Sequence, residues 1–562
     1  MFNFYTFNMI HIKIILFLLY FTSAVAVSGN HFTFDNIIFP KWECCYIFVT
    51  ILSVYAICSI IFVKNNDVNK VKICKPIVFF FITVLSILLL YKDYDSFINV
   101  LMLACIFLSF WDKENINEYR INASILIAGL TNSLWGIWQF ASGKEDVVGT
   151  YDSHVGFSLS AVFAVIVVLY SDFGSKKAQV KVFRGFCLSC LILSIFISSS
   201  RTGILAVAIS LIPLITKKRV FLIPAFCFVL CCSLFFKTES TKGRFFIYNT
   251  TFSILDTPKS LLIGKGENGF RKYYMIYQAK ALKGKDESIK LRADNIKHPL
   301  NEIMLLLVNY GATLTLLCIG MVVYVLFLLR RAYLHCHLLM AIIIFSFFAY
   351  PFKYPITWIV LAWILAYANK ISDVKLNIKK CVIAAICSIA TITIMYKAIK
   401  DAFINHEWTK AQNLCYIGLI DKANSLYSSI SEHTNSNYFH YSYASFLNKN
   451  EMFDKAVVEI DKCSITDYDT QMLRGDINMS TCRYLQALQY YWQASDMCPN
   501  RFKPLFSIFC IYKEIGNKDM TKKIGQEILN KRIKVNSAEI NEIKRTVKYT
   551  LKEMENNSRR RF

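Results

Sequence analysis

The sequence predicts an all-α protein, a polytopic helical membrane bundle of about 12–13 spans followed by a soluble α-solenoid. Three observations predict it. Hydrophobic residues make up 55% of the 562-residue chain, and mean hydropathy is +0.40, more apolar than a soluble protein of this size needs to fill its cores. Apolar runs near the length of a bilayer crossing, about 20 residues, recur up to Lys400. Beyond Lys400 charge rises and a helical period takes over.

The first apolar run covers 14–27, and Ala24-Val25-Ala26 resembles a signal-peptidase site. Cleaved or retained, it leaves the next segment starting outside. Spans are expected at 44–63, 77–91, 96–111, 121–140, 155–171, 186–200, 202–216 and 220–236, then at 303–329, 338–350, 355–369 and 380–399. Basic residues orient them. Lys64, Lys70, Lys72 and Lys75 share one loop. Lys113 with Arg120, then Lys176 to Arg184, then Lys217 to Arg219, fall in every second loop that follows. Arg330 and Arg331, then Lys370 to Lys380, continue the alternation. The positive-inside rule makes these loops cytoplasmic, so the segment 237–300 and everything after the last span face outward.

Net charge is +24, from 63 Lys and Arg against 39 Asp and Glu. The charge gathers in loops beside spans and no basic-aromatic module accompanies it, so no nucleic-acid partner is expected. Most of the nineteen cysteines lie in apolar segments, where Cys acts as a small hydrophobe. Cys187 and Cys190 form a CxxC inside a span, without a redox-domain context. His335-Cys336-His337 is a lone cluster at a span end. Neither a metal nor a cofactor is expected.

One polar interruption, Lys237 to Lys297, holds thirteen Lys and Arg against six Asp and Glu. It closes with Lys297-His298-Pro299-Leu300-Asn301-Glu302, directly before an apolar segment. The expected domains are therefore 1–400 in the membrane, with an outer loop at 237–300, a repeat region at 401–530 and a charged helical tail at 531–562. In the repeat region Ala444, Ala456 and Cys463 are spaced 12 and 7 residues apart, and Gly475, Ala487 and Ala494 repeat that spacing. Ala411 and Ala423 begin an earlier unit whose third position, Ile430, is not small. Small residues at such offsets let paired helices approach closely and stack, and the pattern resembles the tetratricopeptide repeat.

The residues suited to chemistry face outward. His298 can take a proton near neutral pH, as general base or shuttle. Pro299 holds its backbone extended. Asn301 suits a helix N-cap and Glu302 the first turn, with Lys297 beside them. Arg201, in Ser198-Ser199-Ser200-Arg201-Thr202-Gly203, and Arg244, after Gly243, stand at span edges. There an arginine either snorkels to headgroups or grips phosphate oxygens bidentately. Gln139 ends a span, and Asp152 lies in the turn Gly149-Thr150-Tyr151-Asp152-Ser153-His154. Both also suit packing or turn formation. The glycine-rich stretch Gly264 to Gly269 lacks the strand–helix context of a nucleotide loop.

These pieces, in order, resemble the bacterial O-antigen ligase and polymerase superfamily, which includes O-linked protein oligosaccharyltransferases. The matching residues are Gly136-Ile137-Trp138-Gln139, Gly149-Thr150-Tyr151, Ser200-Arg201-Thr202-Gly203, Gly243-Arg244, Gly264-Lys265-Gly266 with Phe270, and His298-Pro299-Leu300-Asn301-Glu302 with Gly311. They cover about 120–320, and the repeat-like tail is similar to that of protein-glycosylating members. The resemblance implies a metal-independent glycosyltransferase in the bacterial inner membrane, with its long loop and C-terminal region in the periplasm. The implied donor is a glycan on undecaprenyl diphosphate. The implied acceptor hydroxyl belongs to lipid A core, a growing glycan or a protein Ser or Thr. Arg201 and Arg244 would engage the diphosphate, and His298 would activate the acceptor. Leu300 departs from the His-Pro-His-Asn-Glu form frequent in the protein-glycosylating branch. A transporter or flippase of lipid-linked glycan is the alternative expectation, and a partner protein on the repeats is a further one.

Overall fold

A computed structural model describes residues 2–28, 35–62, 70–110, 118–171, 178–216 and 238–559. The expected span 220–236 and the basic residues Lys64, Lys113, Lys176, Lys177 and Lys217 to Arg219 lie outside the described residues. The chain divides into two compact units, which interleave along the sequence. The first comprises Met1–Phe236 and Leu300–Lys410, the second Lys237–Pro299 and Ala411–Phe562.

The first unit is a helical bundle. Its helices are α1 (Phe2–Val25), α2 (Phe39–Phe62), α3 (Lys75–Leu90), α4 (Tyr94–Ser109), α5 (Glu118–Ala141), α6 (His154–Tyr170), α7 (Ala178–Ile197) and α8 (Arg201–Thr216). Four helices of the second unit, α9 (Thr238–Ser253), α10 (Pro258–Ile263), α11 (Gly269–Leu282) and α12 (Glu287–Lys290), come next in the chain. The bundle resumes with α13 (Glu302–Leu328), α14 (Tyr333–Phe348), α15 (Pro355–Ile371) and α16 (Lys380–Tyr416). Among the described residues, four helices are long and apolar enough to cross a membrane: Phe39–Ile60, Ala178–Ile197, Glu302–Arg331 and Lys380–Tyr416. The other apolar helices of the bundle are shorter.

Local chemistry places the helix starts. Asp93 caps α4 by accepting from the Ser96 amide, and Asn301 caps α13 by accepting from the Met304 amide. Pro355 opens α15, where a missing amide hydrogen costs nothing. α6 is the buried centre. Every residue from Gly156 to Val168 is buried, as expected of a helix apolar on all sides. α5 lies close against it because Gly129 has no side chain. A Cβ there would come 2.5 Å from that of Ala164.

Two loops expected on one side of the membrane do meet. Lys70–Cys74 (β1) pairs antiparallel with Lys375–Lys379 (β2), with Lys70 opposite Lys379 and Cys74 opposite Lys375. The Cys74 amide donates to Asn369 Oδ1 at 2.7 Å. Alternation in Lys-Val-Lys-Ile and Leu-Asn-Ile-Lys is the period of a strand, so each lysine-rich loop carries a short one.

In the second unit α17 (Ile420–Ser431), α18 (Asn437–Lys449), α19 (Phe453–Asp461), α20 (Tyr468–Ser480), α21 (Tyr484–Met497), α22 (Lys503–Glu514), α23 (Lys518–Asn530) and α24 (Ala538–Arg559) follow in series. α18 packs on α19, α20 on α21, α22 on α23, and α21 on α22. The small residues picked out by spacing are buried: Ala411, Ala423, Ala444, Ala456, Ala487 and Ala494 are all inaccessible. Gly475 allows α20 and α21 to close up, since a Cβ there would lie 2.4 Å from the Tyr491 ring.

Candidate functional site

The string Lys297 to Glu302 joins the two units. Lys297, His298 and Pro299 belong to the second, and the chain enters the first at Leu300. His298 is half-buried and Pro299 buried. Leu300 takes a left-handed backbone (φ 57°), a conformation costly for a residue with a Cβ. Asn301 then returns to extended geometry, its Oδ1 3.0 Å from the Met304 amide and its Nδ2 3.2 Å from the Phe347 carbonyl. Glu302 is buried in the first turn of α13. Gly311 interrupts α13 with φ 78°.

In the first unit the helix ends on the side opposite the β1–β2 ribbon form a connected polar layer. Gln139, buried at the end of α5, grips the Gly149 peptide on both sides. Its Nε2 donates to the Gly149 carbonyl at 2.8 Å, and its Oε1 accepts from the Gly149 amide at 2.9 Å. Asn132 Oδ1 accepts from the Thr150 amide at 3.0 Å. Asp152 pairs with Lys353 and accepts from Tyr354 Oη at 3.1 Å. Lys353 lies in the tight turn between α14 and α15, whose carbonyl also accepts from Trp42.

Lys41 stands beneath this layer and is fully buried. Its ammonium donates to the carbonyls of Ala24 and Ala26, both at 2.9 Å, and to Thr150 Oγ1 at 3.2 Å, while Nζ sits 4.7 Å over the Tyr151 ring. All three donors are used, so Lys41 holds the layer together and has none left for a ligand. Asp93 accepts from Tyr310 nearer α4. Arg201 begins α8 and is exposed. Its turn is tied down by Ser200 Oγ, which donates to Ser158 Oγ at 2.7 Å near the start of α6. Arg201 and Lys353 are thus cations with accessible surface on this end, where a phosphate oxygen can be gripped.

The polar interruption is folded. Lys265 of the glycine-rich turn pairs with Asp256 at 2.8 Å, and Tyr277 Oη donates to the same carboxylate at 2.6 Å. Lys265 and Tyr277 hold the Asp256 carboxyl down at about 2. The turn thus uses its lysine internally. Gln278 Nε2 donates to the carbonyls of Asp294, at 3.0 Å, and Met497, at 2.8 Å. Arg501 pairs with Asp294 at 2.7 Å, and Asn295 Nδ2 donates to Asp469 at 2.9 Å. Lys297 Nζ lies 3.6 Å from the same Asp469. Arg244 is half-buried on α9.

Four of the residues picked out by sequence, Gln139, Asp152, Asn301 and Glu302, therefore share one end of the first unit with Arg201. Arg244, Lys297 and His298 belong to the second unit. Lys41, Lys353 and Tyr354 escaped the sequence reading. Their signal was a cation in Pro40-Lys41-Trp42, at the start of α2, and in the turn Pro351-Phe352-Lys353-Tyr354-Pro355, both in segments that the charge pattern expects to face outward, where the positive-inside rule disfavours one. His335 and His337 turn to different neighbours. His335 stacks on Tyr367 at 3.8 Å, and His337 on Tyr170 at 4.3 Å. Among the described residues no three His, Cys, Asp or Glu side chains are grouped as a metal site would need. No family model matches the chain, and no curated protein matches it.

Proposed function

We propose that the chain is a membrane glycosyltransferase. It would move a glycan from undecaprenyl diphosphate to an acceptor hydroxyl on the outer side of a bacterial inner membrane. One observation carries the reading: His298-Pro299-Leu300-Asn301-Glu302 leads directly into an apolar helix long enough to cross a membrane, after the ordered pieces at Gly136, Gly149, Arg201 and Arg244. The polar layer holding Gln139, Asp152, Asn301 and Glu302 supports it, since helix ends of one side gather there. In this reading all the apolar helices span, and the helices from Ala411 to Asn530 are tetratricopeptide-like repeats that hold the acceptor.

The chemistry follows from the residue types. The acceptor hydroxyl attacks the anomeric carbon and gives its proton to His298. The bond from that carbon to the diphosphate oxygen breaks, and undecaprenyl diphosphate leaves with its charge met by Arg201 and Arg244. Glycan–acceptor bond, free carrier and a protonated His298 are the products. No nucleotide sugar is consumed.

His298→Ala in proteoliposomes carrying lipid-linked glycan is the test. Transfer is expected to fall by about 10²–10⁴-fold with the protein still inserted. Unchanged transfer would remove His298 from the mechanism. The rival transporter needs ionisable groups along a path through the bundle. Lys41 and Asp93 sit instead at helix ends. Counterflow of labelled glycan without any transfer would favour the rival.

A further inference from the structure

The second unit contains a polar cavity of about 430 Å³, far from apolar in its lining, within the size range of small-molecule sites. Glu267 and Lys272 line one side, and Asn435, Asn437, His440 and Lys462 the other. Behind it lies a fully engaged buried network. Glu459 is 4% exposed and His440 3%. His440 Nδ1 is 2.6 Å from Glu459 Oε1, Ser431 Oγ donates to both Glu459 oxygens at 2.9 and 3.1 Å, and Lys462 Nζ is 2.9 Å from Oε2. Burial raises the Glu459 carboxyl, but the hydrogen bonds from His440, Lys462 and Ser431 outweigh it and hold it below the usual range. The carboxylate is ionised at neutral pH, so Nδ1 must be the donor in that bond. The imidazole is thereby fixed, with Nε2 as its remaining polar atom.

This build is unusual for a helical repeat region, whose seams need only apolar and small residues. A carboxylate, a histidine and a serine have been taken out of water together, with the exposed Lys462 reaching in from the surface, at a cost that packing alone would not require. Their effect is to orient groups at the cavity wall. Asn437 is oriented too, since its Oδ1 accepts from the Ser464 amide at 2.7 Å and from Ser464 Oγ at 3.1 Å, turning Nδ2 away from them.

The lining decides the ligand class. In the lining Lys272 stands against Glu267, and Lys462 is already paired with Glu459 behind the wall, so an anionic ligand finds no excess of unpaired positive charge. Apolar pockets of the kind that anchor peptide side chains are missing from the lining. Amide, imidazole, carboxylate and ammonium groups offer both donors and acceptors at fixed positions, which is what vicinal hydroxyls require. A second, smaller cavity shares Asn437 and carries Tyr438, Tyr441 and Lys297. Tyrosine faces there suit the apolar face of a sugar ring.

We propose that this cavity is a glycan-binding site, taking an uncharged stretch of oligosaccharide that leads through the Tyr438 and Tyr441 cavity toward Lys297 and His298. It deepens the transfer reading and rests on it for the identity of the glycan. The test uses the full chain in detergent and, as probe, the oligosaccharide freed from its lipid diphosphate by mild acid, so that arginine–diphosphate contacts cannot contribute. Binding is read by isothermal calorimetry and saturation-transfer NMR. The double variant Asn435→Ala/Lys272→Ala removes one polar side chain from each wall. It is expected to weaken binding at least tenfold at unchanged melting temperature, with His440→Ala weakening it further. Equal binding by the double variant, no binding by the wild type, or preferential binding of a Ser/Thr-rich peptide would each overturn the proposal. Retained transfer by His298→Ala alongside lost glycan binding in the cavity variants would sink the transfer mechanism while sustaining the cavity.

Discussion

Gln139 shows how a residue suited to a site can serve the frame beneath it. Its side-chain amide replaces a strand neighbour for the Gly149 peptide, satisfying both a donor and an acceptor. Gln139→Ala leaves both unpaired in a buried place, at about 1–3 kcal/mol for each group. Loss of thermal stability in detergent is the expected outcome, with misplacement of Asp152. Gly149 makes a sharper comparison. It adopts φ 61°, and a Cβ would lie 2.4 Å from Asn132 Oδ1 and 2.5 Å from the Phe157 ring. Gly143 has φ 79° with nothing within 4 Å. Gly143→Ala should cost only backbone strain, about 1–2 kcal/mol. Gly149→Ala should cost clearly more, and equal melting shifts for the two would refute the crowding argument. Neither contact was legible in sequence, because both depend on how α5 meets the turn before α6.

At the scale of elements, periodicity located helices well and their partnerships poorly. The apolar runs at 44–63, 155–171 and 355–369 fall on α2, α6 and α15. Small-residue spacing found the seams between α18 and α19 and between α20 and α21, since a missing side chain is a local property with a local steric consequence. The buried network between α17, α18 and α19 left no such mark, because Ser431, His440, Glu459 and Lys462 are ordinary surface types in sequence. It makes a pH prediction. Glu459 titrates lower folded than unfolded, where glutamate lies near 4.3. Its contribution is present above that unfolded value and is lost as pH falls through the folded one. Hydrogen exchange over Asn437–Lys449 should therefore show Glu459→Gln less protected than wild type at pH 7, with the gap narrowing as pH drops below about 4. A gap independent of pH would contradict the ionised pairing.

For the whole molecule, the two compact units are interleaved, and this changes what a truncation removes. Residues 238–299 lie in the middle of the chain, yet Gln278, Asp294 and Asn295 hold groups on Met497, Arg501 and Asp469. Cutting the chain after Lys400 removes those partners. The expected result is a protein that still inserts but whose 238–299 segment becomes sensitive to added protease. Protection equal to that of the full chain would mean the segment folds without its C-terminal partners.

By itself the sequence determined that the protein is helical, membrane-compatible through much of its length and basic in alternate loops. Those properties are written residue by residue, as hydropathy, period and charge. It also marked His298, Arg201 and Arg244, by residue type and by order along the chain. Only the tertiary structure decided that Gln139, Asp152, Asn301 and Glu302 share a layer with a buried Lys41, and that the polar interruption packs with the C-terminal helices. Such groupings join residues more than a hundred positions apart, and no local preference encodes which distant helix end supplies the partner for a given hydrogen bond.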